Sequence, residues 1–307
     1  MLYLYAQQDA EQLAPLLRQA LPDIDLAVWP QEVDGAAVRY TVVWNPPEGF
    51  FARFPRLEAV FALGAGVDRL LARADLPPTL PVIRLTDAGM AQQMAEYALY
   101  GVLRYQRQFD VYQRQQAERR WQPQRPRLAH EVRVGVLGLG AIGAVVATTL
   151  AGRGYAVSGW SRSPRQLPGV DCRHGSAALD TLLAETDVLV SLLPSTPETR
   201  GLLDRERLAR LPRGAAVINA GRGEQLDQEA LLELLDAGQL RFAQLDVFAR
   251  EPLAVEHPLW THPSVTVTPH IAAITLPGPA VEQIAASLRA LQGGARPEGW
   301  VDRQRAY

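Results

Sequence analysis

The sequence predicts an α/β protein of two doubly wound parallel-sheet domains. Three observations carry this reading. Short apolar strands alternate with helical stretches twice along the 307 residues. A long, polar, helix-like segment separates the two series. The second series opens on a glycine-rich turn set between a strand and a helix. Such alternation with crossover helices is the pattern of parallel sheets.

In the first series, Leu2–Tyr5, Leu26–Trp29, Tyr40–Trp44, Ala59–Phe61 and Val82–Leu85 read as strands, and Ala10–Leu21 as a helix closed by Pro22. Gly89 to about Trp121 reads as one long helix, a connector or an oligomer contact, broken by Gln122–Pro126. The second series is read as six strands: Val132–Leu137, Ala156–Trp160, Val188–Leu192, Ala216–Asn219, Ala243–Leu245 and Val265–Val267. Between the fourth and fifth, Asp227 caps a helix whose apolar stripe runs to Asp236 and which Gly238 ends. A last amphipathic helix covers about Pro279 to Leu291.

Bulk properties narrow the function. A net charge of −2 gives no general affinity for nucleic acid or anionic membranes, and no apolar run reaches the length of a membrane span. Met1–Gln8 lacks the basic and apolar regions of a secretory leader, and the single Cys172 has no internal disulfide partner, so a cytoplasmic protein is expected. All 31 basic residues are arginine, which removes lysine Schiff-base chemistry and Walker-type phosphate binding. No metal site is read from the sequence.

The turn is Gly138-Leu139-Gly140-Ala141-Ile142-Gly143, between a buried strand and the helical run Val145–Leu150. The first glycine permits the turn. The second admits a pyrophosphate to the backbone, and the third lets helix and strand pack closely. The helix N-terminus then supplies N–H donors to the anion, so a Rossmann-type dinucleotide domain is expected. Where NAD-binding units carry an acidic residue, the second strand ends in Ser161, followed by Arg162 and Arg165. A carboxylate repels a 2′-phosphate, whereas a hydroxyl and guanidinium groups bind it. NADPH is therefore expected over NADH, with NADH as the secondary cofactor.

Three residues, each following a predicted strand, fit reduction of a 2-oxo acid. Arg222, in Asn219-Ala220-Gly221-Arg222-Gly223, can fork onto a carboxylate and polarise the adjacent carbonyl. His270, in Thr268-Pro269-His270-Ile271-Ala272-Ala273, suits general-acid work. Glu251 can pair with the histidine and orient its ring, a pairing that spacing alone does not reveal.

With these residues in view, the chain resembles the D-isomer-specific 2-hydroxyacid dehydrogenases over essentially its full length, closest to their glyoxylate/hydroxypyruvate reductase A branch. The matching stretches are Val43–Pro47, Ala62–Asp68, Trp160–Arg162, Leu193–Thr199, Leu245–Phe248 with Arg250–Leu253, and Thr268–Ile274. The resemblance implies a flavodoxin-like substrate domain over 1–98 and 276–307, a Rossmann domain over 99–275, and a site in the cleft that closes by hinge motion. It implies His270 as proton donor, Glu251 as its partner and Arg222 as the substrate-binding catalytic residue. Backbone at Ala65, Gly66 and Val67 would hold the substrate carboxylate, and Trp44 would line the pocket. Asp246 would contact the nicotinamide amide, Leu193 and Pro194 would cover the cofactor, and Ala220 and Ala272 would lie against it. A homodimer built partly on 89–121 is also implied.

Two departures stand out. The family loop usually reads Ala-Arg-Gly; Gly221 lacks that methyl, which is expected to loosen the loop. The closest branch usually carries arginine after the Ala272–Thr275 stretch, where this chain has Leu276-Pro277, which favours glyoxylate or a more apolar 2-oxo acid over hydroxypyruvate. The rival readings are a dinucleotide-sensing regulator without turnover and a methyltransferase; the latter leaves Arg222, Glu251 and His270 unexplained.

Overall fold

The structure, a computed structural model, describes residues 1–304; residues 305–307, the end of the expected substrate domain, lie outside the described residues. The chain forms two compact units, Met1–Met90 with the segment from Thr275 onward, and Ala91–Ile274.

The first unit contains β1 (Leu2–Tyr5), α1 (Ala10–Ala20), β2 (Leu26–Val28), β3 (Tyr40–Val43), β4 (Ala59–Ala62), a single-turn α2 (Asp68–Leu71) and β5 (Val82–Arg84). Its five parallel strands lie in the order β2-β1-β3-β4-β5, the flavodoxin-like arrangement. Tyr3, Tyr5, Phe50, Phe51 and Phe54 fill the core on one face. The C-terminal helix, numbered α9 below (Pro277–Gln292), packs on α1, where Arg289 donates to the Ala20 carbonyl at 2.6 Å.

In the second unit α3 (Met90–Gln106) and α4 (Phe109–Ala117) precede β6 (Arg133–Leu137), α5 (Ala141–Gly152), β7 (Ala156–Ser161), β8 (Val170–His174), α6 (Ser176–Glu185) and β9 (Val188–Ser191). Then follow α7 (Arg205–Arg210), β10 (Ala215–Asn219), α8 (Gln228–Asp236), β11 (Leu240–Leu245) and β12 (Val265–Val267). The seven-stranded parallel sheet runs β12-β11-β10-β9-β6-β7-β8. Its central strands are buried on both faces. Leu189, Val217 and Leu245 meet α6–α8 on one side, while Val188, Val190, Ala216 and Ile218 meet α3 and α5 on the other. Strand order reverses between β6 and β9, the switch point where doubly wound sheets bind ligands.

Two expectations are corrected. The long helix is two helices, because Gln108 takes a left-handed conformation (φ 57°) and its side chain, with that of Gln106, holds the returning Arg125 and Arg127 carbonyls. The two compact units divide between Met90 and Ala91, and Ala95, Ala98 and Val102 of α3 are buried in the second unit's core. The sheet has a seventh strand, β8, that the sequence reading missed. It is a half-exposed edge strand without an apolar run.

Candidate active site

The glycine turn follows β6 at the switch point. Gly138 has φ 98°, and its N–H donates to the Trp160 carbonyl at 2.8 Å, tying the turn to the end of β7. A Cβ at Gly143 would overlap the Gly138 carbonyl, so only glycine lets α5 start this close to the strand. At Gly140 an added Cβ would meet nothing within 4 Å, and no side chain caps α5 there. Open space above an uncapped helix N-terminus fits a pyrophosphate against Gly140, Ala141 and Ile142. Across the switch point, the Leu193 and Pro194 carbonyls accept from the Gln225 amide at 2.6 and 2.9 Å. Gln225 is fully buried and also takes the Ser191 hydroxyl at 3.1 Å. Nothing in its polar sequence context marks Gln225 beforehand.

Arg222 lies just past β10 and is half-buried. The fully buried Asn219 closes the loop around it, accepting from Gly221 N–H at 3.3 Å and donating to the Arg222 carbonyl at 3.1 Å. The buried Ala220 lies inside this turn. Gly221 does not loosen the loop: an added Cβ would sit 2.7 Å from the Leu193 carbonyl oxygen and 2.8 Å from its nitrogen, so glycine lets two backbones meet. Gly223 does the same against the backbone of Phe248. Arg222 is thus held between the loop that follows β9 and the one that follows β11.

That second loop carries Glu251, whose Oε1 accepts from the Phe248 N–H at 3.1 Å and whose Oε2 accepts from His270 Nδ1 at 3.0 Å. The carboxylate is largely buried while the imidazole is 44% exposed, so the pair orients the ring through Nδ1 and leaves much of it accessible. His270 itself has φ 59°, a left-handed conformation uncommon away from glycine. Its N–H donates to the carbonyls of Asp246 and Thr268 at 2.9 and 3.1 Å. The buried Asp246 carboxylate completes the hold. It accepts from the Thr268 hydroxyl at 2.6 Å and from the Ile271 and Ala272 N–H groups at 2.8 Å each. The sequence reading set Asp246 and Ala272 against the cofactor; in the fold, the carboxylate of one and the N–H of the other are used to brace the His270 loop.

Ser161, the last residue of β7, is buried and its hydroxyl donates to the Ser163 carbonyl at 2.8 Å, while Arg162 and Arg165 past the strand are exposed. The Thr196 hydroxyl, the residue's own N–H and the charge of Arg162 hold the Glu198 carboxyl below its usual range. Arg162 is therefore within electrostatic reach of the segment that follows Pro194.

In the first unit, Trp44 follows β3 and is 47% exposed; its ring packs on Gly64, where a Cβ would come 2.7 Å from Cζ3. Ala65 is half-buried, Gly66 exposed and Val67 buried in the turn after β4. Leu276 packs over Gly89, which has φ 81° and no room for a side chain. Among the described residues, no cluster of His, Cys, Asp and Glu is arranged to hold a metal ion, and no helix is long and apolar enough to cross a membrane.

A sequence model of the D-isomer specific 2-hydroxyacid dehydrogenase NAD-binding domain matches residues 99–272. The chain is 46% identical over 299 residues to a glyoxylate/hydroxypyruvate reductase A of Serratia proteamaculans, covering 96% of this chain and 95% of that protein. It superposes with a TM-score of 0.96 on a D-isomer specific 2-hydroxyacid dehydrogenase of Xanthobacter autotrophicus Py2 crystallised with NADPH and MES. That protein is 47% identical, with 100% of this chain and 99% of that one covered. An NADPH-dependent glyoxylate/hydroxypyruvate reductase of Sinorhizobium meliloti, crystallised with NADP and sulfate, gives a TM-score of 0.93 at 35% identity, over 100% and 99% of the two chains.

Proposed function

The chain belongs to the D-isomer-specific 2-hydroxyacid dehydrogenases, oxidoreductases acting on a CH–OH group with a nicotinamide dinucleotide, and on that premise we propose that it reduces small 2-oxo acids, glyoxylate and hydroxypyruvate among them, with NADPH in preference to NADH. The reading is carried by the 3.0 Å pair of Glu251 and His270. A histidine oriented through Nδ1 by a carboxylate, at the carboxyl edge of the sheet, is equipped to deliver a proton from Nε2 to a carbonyl oxygen. Arg222 grips the substrate carboxylate and polarises the neighbouring carbonyl. When bound, the reduced nicotinamide supplies the hydride. Gly138, Gly140 and Gly143 shape the pyrophosphate seat, Ala220 and the Leu193–Pro194 segment border the dinucleotide, and Arg162 and Arg165 favour the 2′-phosphate. In the first unit, Trp44 and the Ala65–Val67 backbone remain assigned to the substrate.

The product is a D-2-hydroxy acid, or achiral glycolate from glyoxylate. The enzyme works in the cytoplasm, where reduced dinucleotide is supplied, and as a homodimer. The exposed Tyr100, Leu103, Phe109 and Tyr112 on α3 and α4 support a partner on that face.

The test is the loss of NADPH absorbance on adding glyoxylate. His270→Ala and Arg222→Ala are each expected to lose about 10²- to 10⁴-fold in turnover, with NADPH affinity unchanged by fluorescence titration. Normal turnover by either variant overturns its role. A wild-type protein that binds NADPH and reduces no 2-oxo acid would instead be a dinucleotide-sensing regulator.

A further inference from the structure

The loop that carries His270 is anchored by α3, a helix that supplies none of the residues assigned to the chemistry. Tyr97 on α3 bonds through its hydroxyl to Thr268 Oγ1 at 2.8 Å, and Thr268 Oγ1 lies 2.6 Å from Asp246 Oδ1. The donors can be ordered. Thr268 has one hydroxyl proton and gives it to the carboxylate, so Tyr97 must donate to Thr268. Burial pushes the Tyr97 phenol up to about 12, with the Asp246 charge adding to the rise, so it keeps its proton across the working range.

The same face of α3 is fastened twice more. Arg104, about two turns on, donates to Thr266 Oγ1 at 2.7 Å and stacks on Phe242 at 4.5 Å. Gln244 on β11 donates to the Tyr97 carbonyl at 3.2 Å. Thr266 and Thr268 alternate along one strand direction, so they present their hydroxyls to one helix face. Between the fastenings, Gly101 brings α3 down onto Ile218 and Gln244, where an added Cβ would collide.

We propose that Tyr97 and Thr268 are positioning residues for the proton donor: their ordered hydroxyls fix the Asp246 carboxylate, and Asp246 holds the left-handed loop that aims His270. The inference rests on the reading of His270 as the acid. Both hydroxyls are engaged in bracing the loop, Tyr97 on Thr268 and Thr268 on Asp246, so their loss is expected to act on turnover and not on binding.

The experiment compares Tyr97→Phe, Thr268→Val and Thr268→Ser with wild type and His270→Ala, measuring kcat, KM for glyoxylate and NADPH affinity by fluorescence. Thr268→Val is expected to lower kcat about 10-fold through misplacement of the acid, and Tyr97→Phe about 3-fold, with NADPH affinity within about 2-fold of wild type. Thr268→Ser restores wild-type kcat, because it keeps the hydroxyl and gives up only the methyl. Unchanged kcat in Tyr97→Phe and Thr268→Val overturns the inference. So does a kcat loss matched by an equal loss of NADPH affinity, or one that Thr268→Ser does not repair. If Thr268→Val does not fold, Tyr97→Phe and Thr268→Ser decide by the same criteria. An active His270→Ala would instead bring down the acid assignment, an outcome separate from failure of the hydroxyl relay.

Discussion

The loop that carries His270 and the loop that carries Arg162 leave the same sheet, yet they are held in opposite ways. Around His270, a left-handed backbone, a buried carboxylate with three donors, and a second carboxylate on the ring leave the imidazole one orientation. Around Arg162, one hydroxyl closes a short turn, and Arg162 and Arg165 are exposed residues. The difference matches the two tasks proposed for the loops. A proton must reach one atom along one line, so its donor gains from being fixed before the substrate arrives. Discrimination between a hydroxyl and a phosphate depends on the sign of charge nearby, which survives side-chain motion. Rigidity belongs to the first loop and charge to the second.

Glu251→Gln tests the rigid side hardest. It keeps the volume and the Phe248 contact but replaces the acceptor of the Nδ1 proton with an amide that is neutral. Turnover is expected to fall about 10³-fold with NADPH affinity preserved. A loss below tenfold would mean that the ring is aimed by its backbone alone, and the contrast between the loops would rest on Asp246.

What the sequence disclosed follows the same division. Arg222, Glu251 and His270 stood out as candidates because each follows an apolar strand in a recognisable stretch, and the Gly138–Gly143 turn because of its glycine spacing, which the structure needs at Gly138 and Gly143. The parallel sheets were legible from the spacing of their apolar runs. The supports were hidden. Gln225, Tyr97 and Thr268 act through contacts between segments far apart in the chain, 171 residues for Tyr97 and Thr268, which no local spacing displays. β8 was hidden because a half-exposed edge strand such as Val-Asp-Cys-Arg-His carries no apolar run. Gly221 was visible as a departure but misread. Whether a missing methyl frees a loop or lets it pack tighter depends on what lies opposite, and here it is the backbone of Leu193.

Gly223→Ala tests whether rigidity is shared between loops. Its Cβ would enter the Phe248 backbone, so the Arg222 loop and the Glu251 loop must part. The expected cost is about 1–3 kcal/mol of stability in urea unfolding and about 10² in kcat/KM for glyoxylate. An active, equally stable variant would show that the two loops tolerate separation.

Arg162→Ala probes the solvated side, and its effect is expected to be the smallest and the most selective. A guanidinium on a 2′-phosphate contributes a charge-assisted hydrogen bond, so its loss should raise the apparent NADPH constant about 10-fold. NADH has no 2′-phosphate and should be bound as before. Glu198 sharpens the test, because the Arg162 charge helps hold its carboxyl down. With Arg162 gone, the Glu198 charge would act on an incoming phosphate without that cation to offset it. The double variant Arg162→Ala with Glu198→Gln should therefore recover part of the NADPH affinity, with no gain for NADH. Equal weakening of both dinucleotides by Arg162→Ala would make this arginine a support of the turn, and the two loops would then differ in exposure but not in kind.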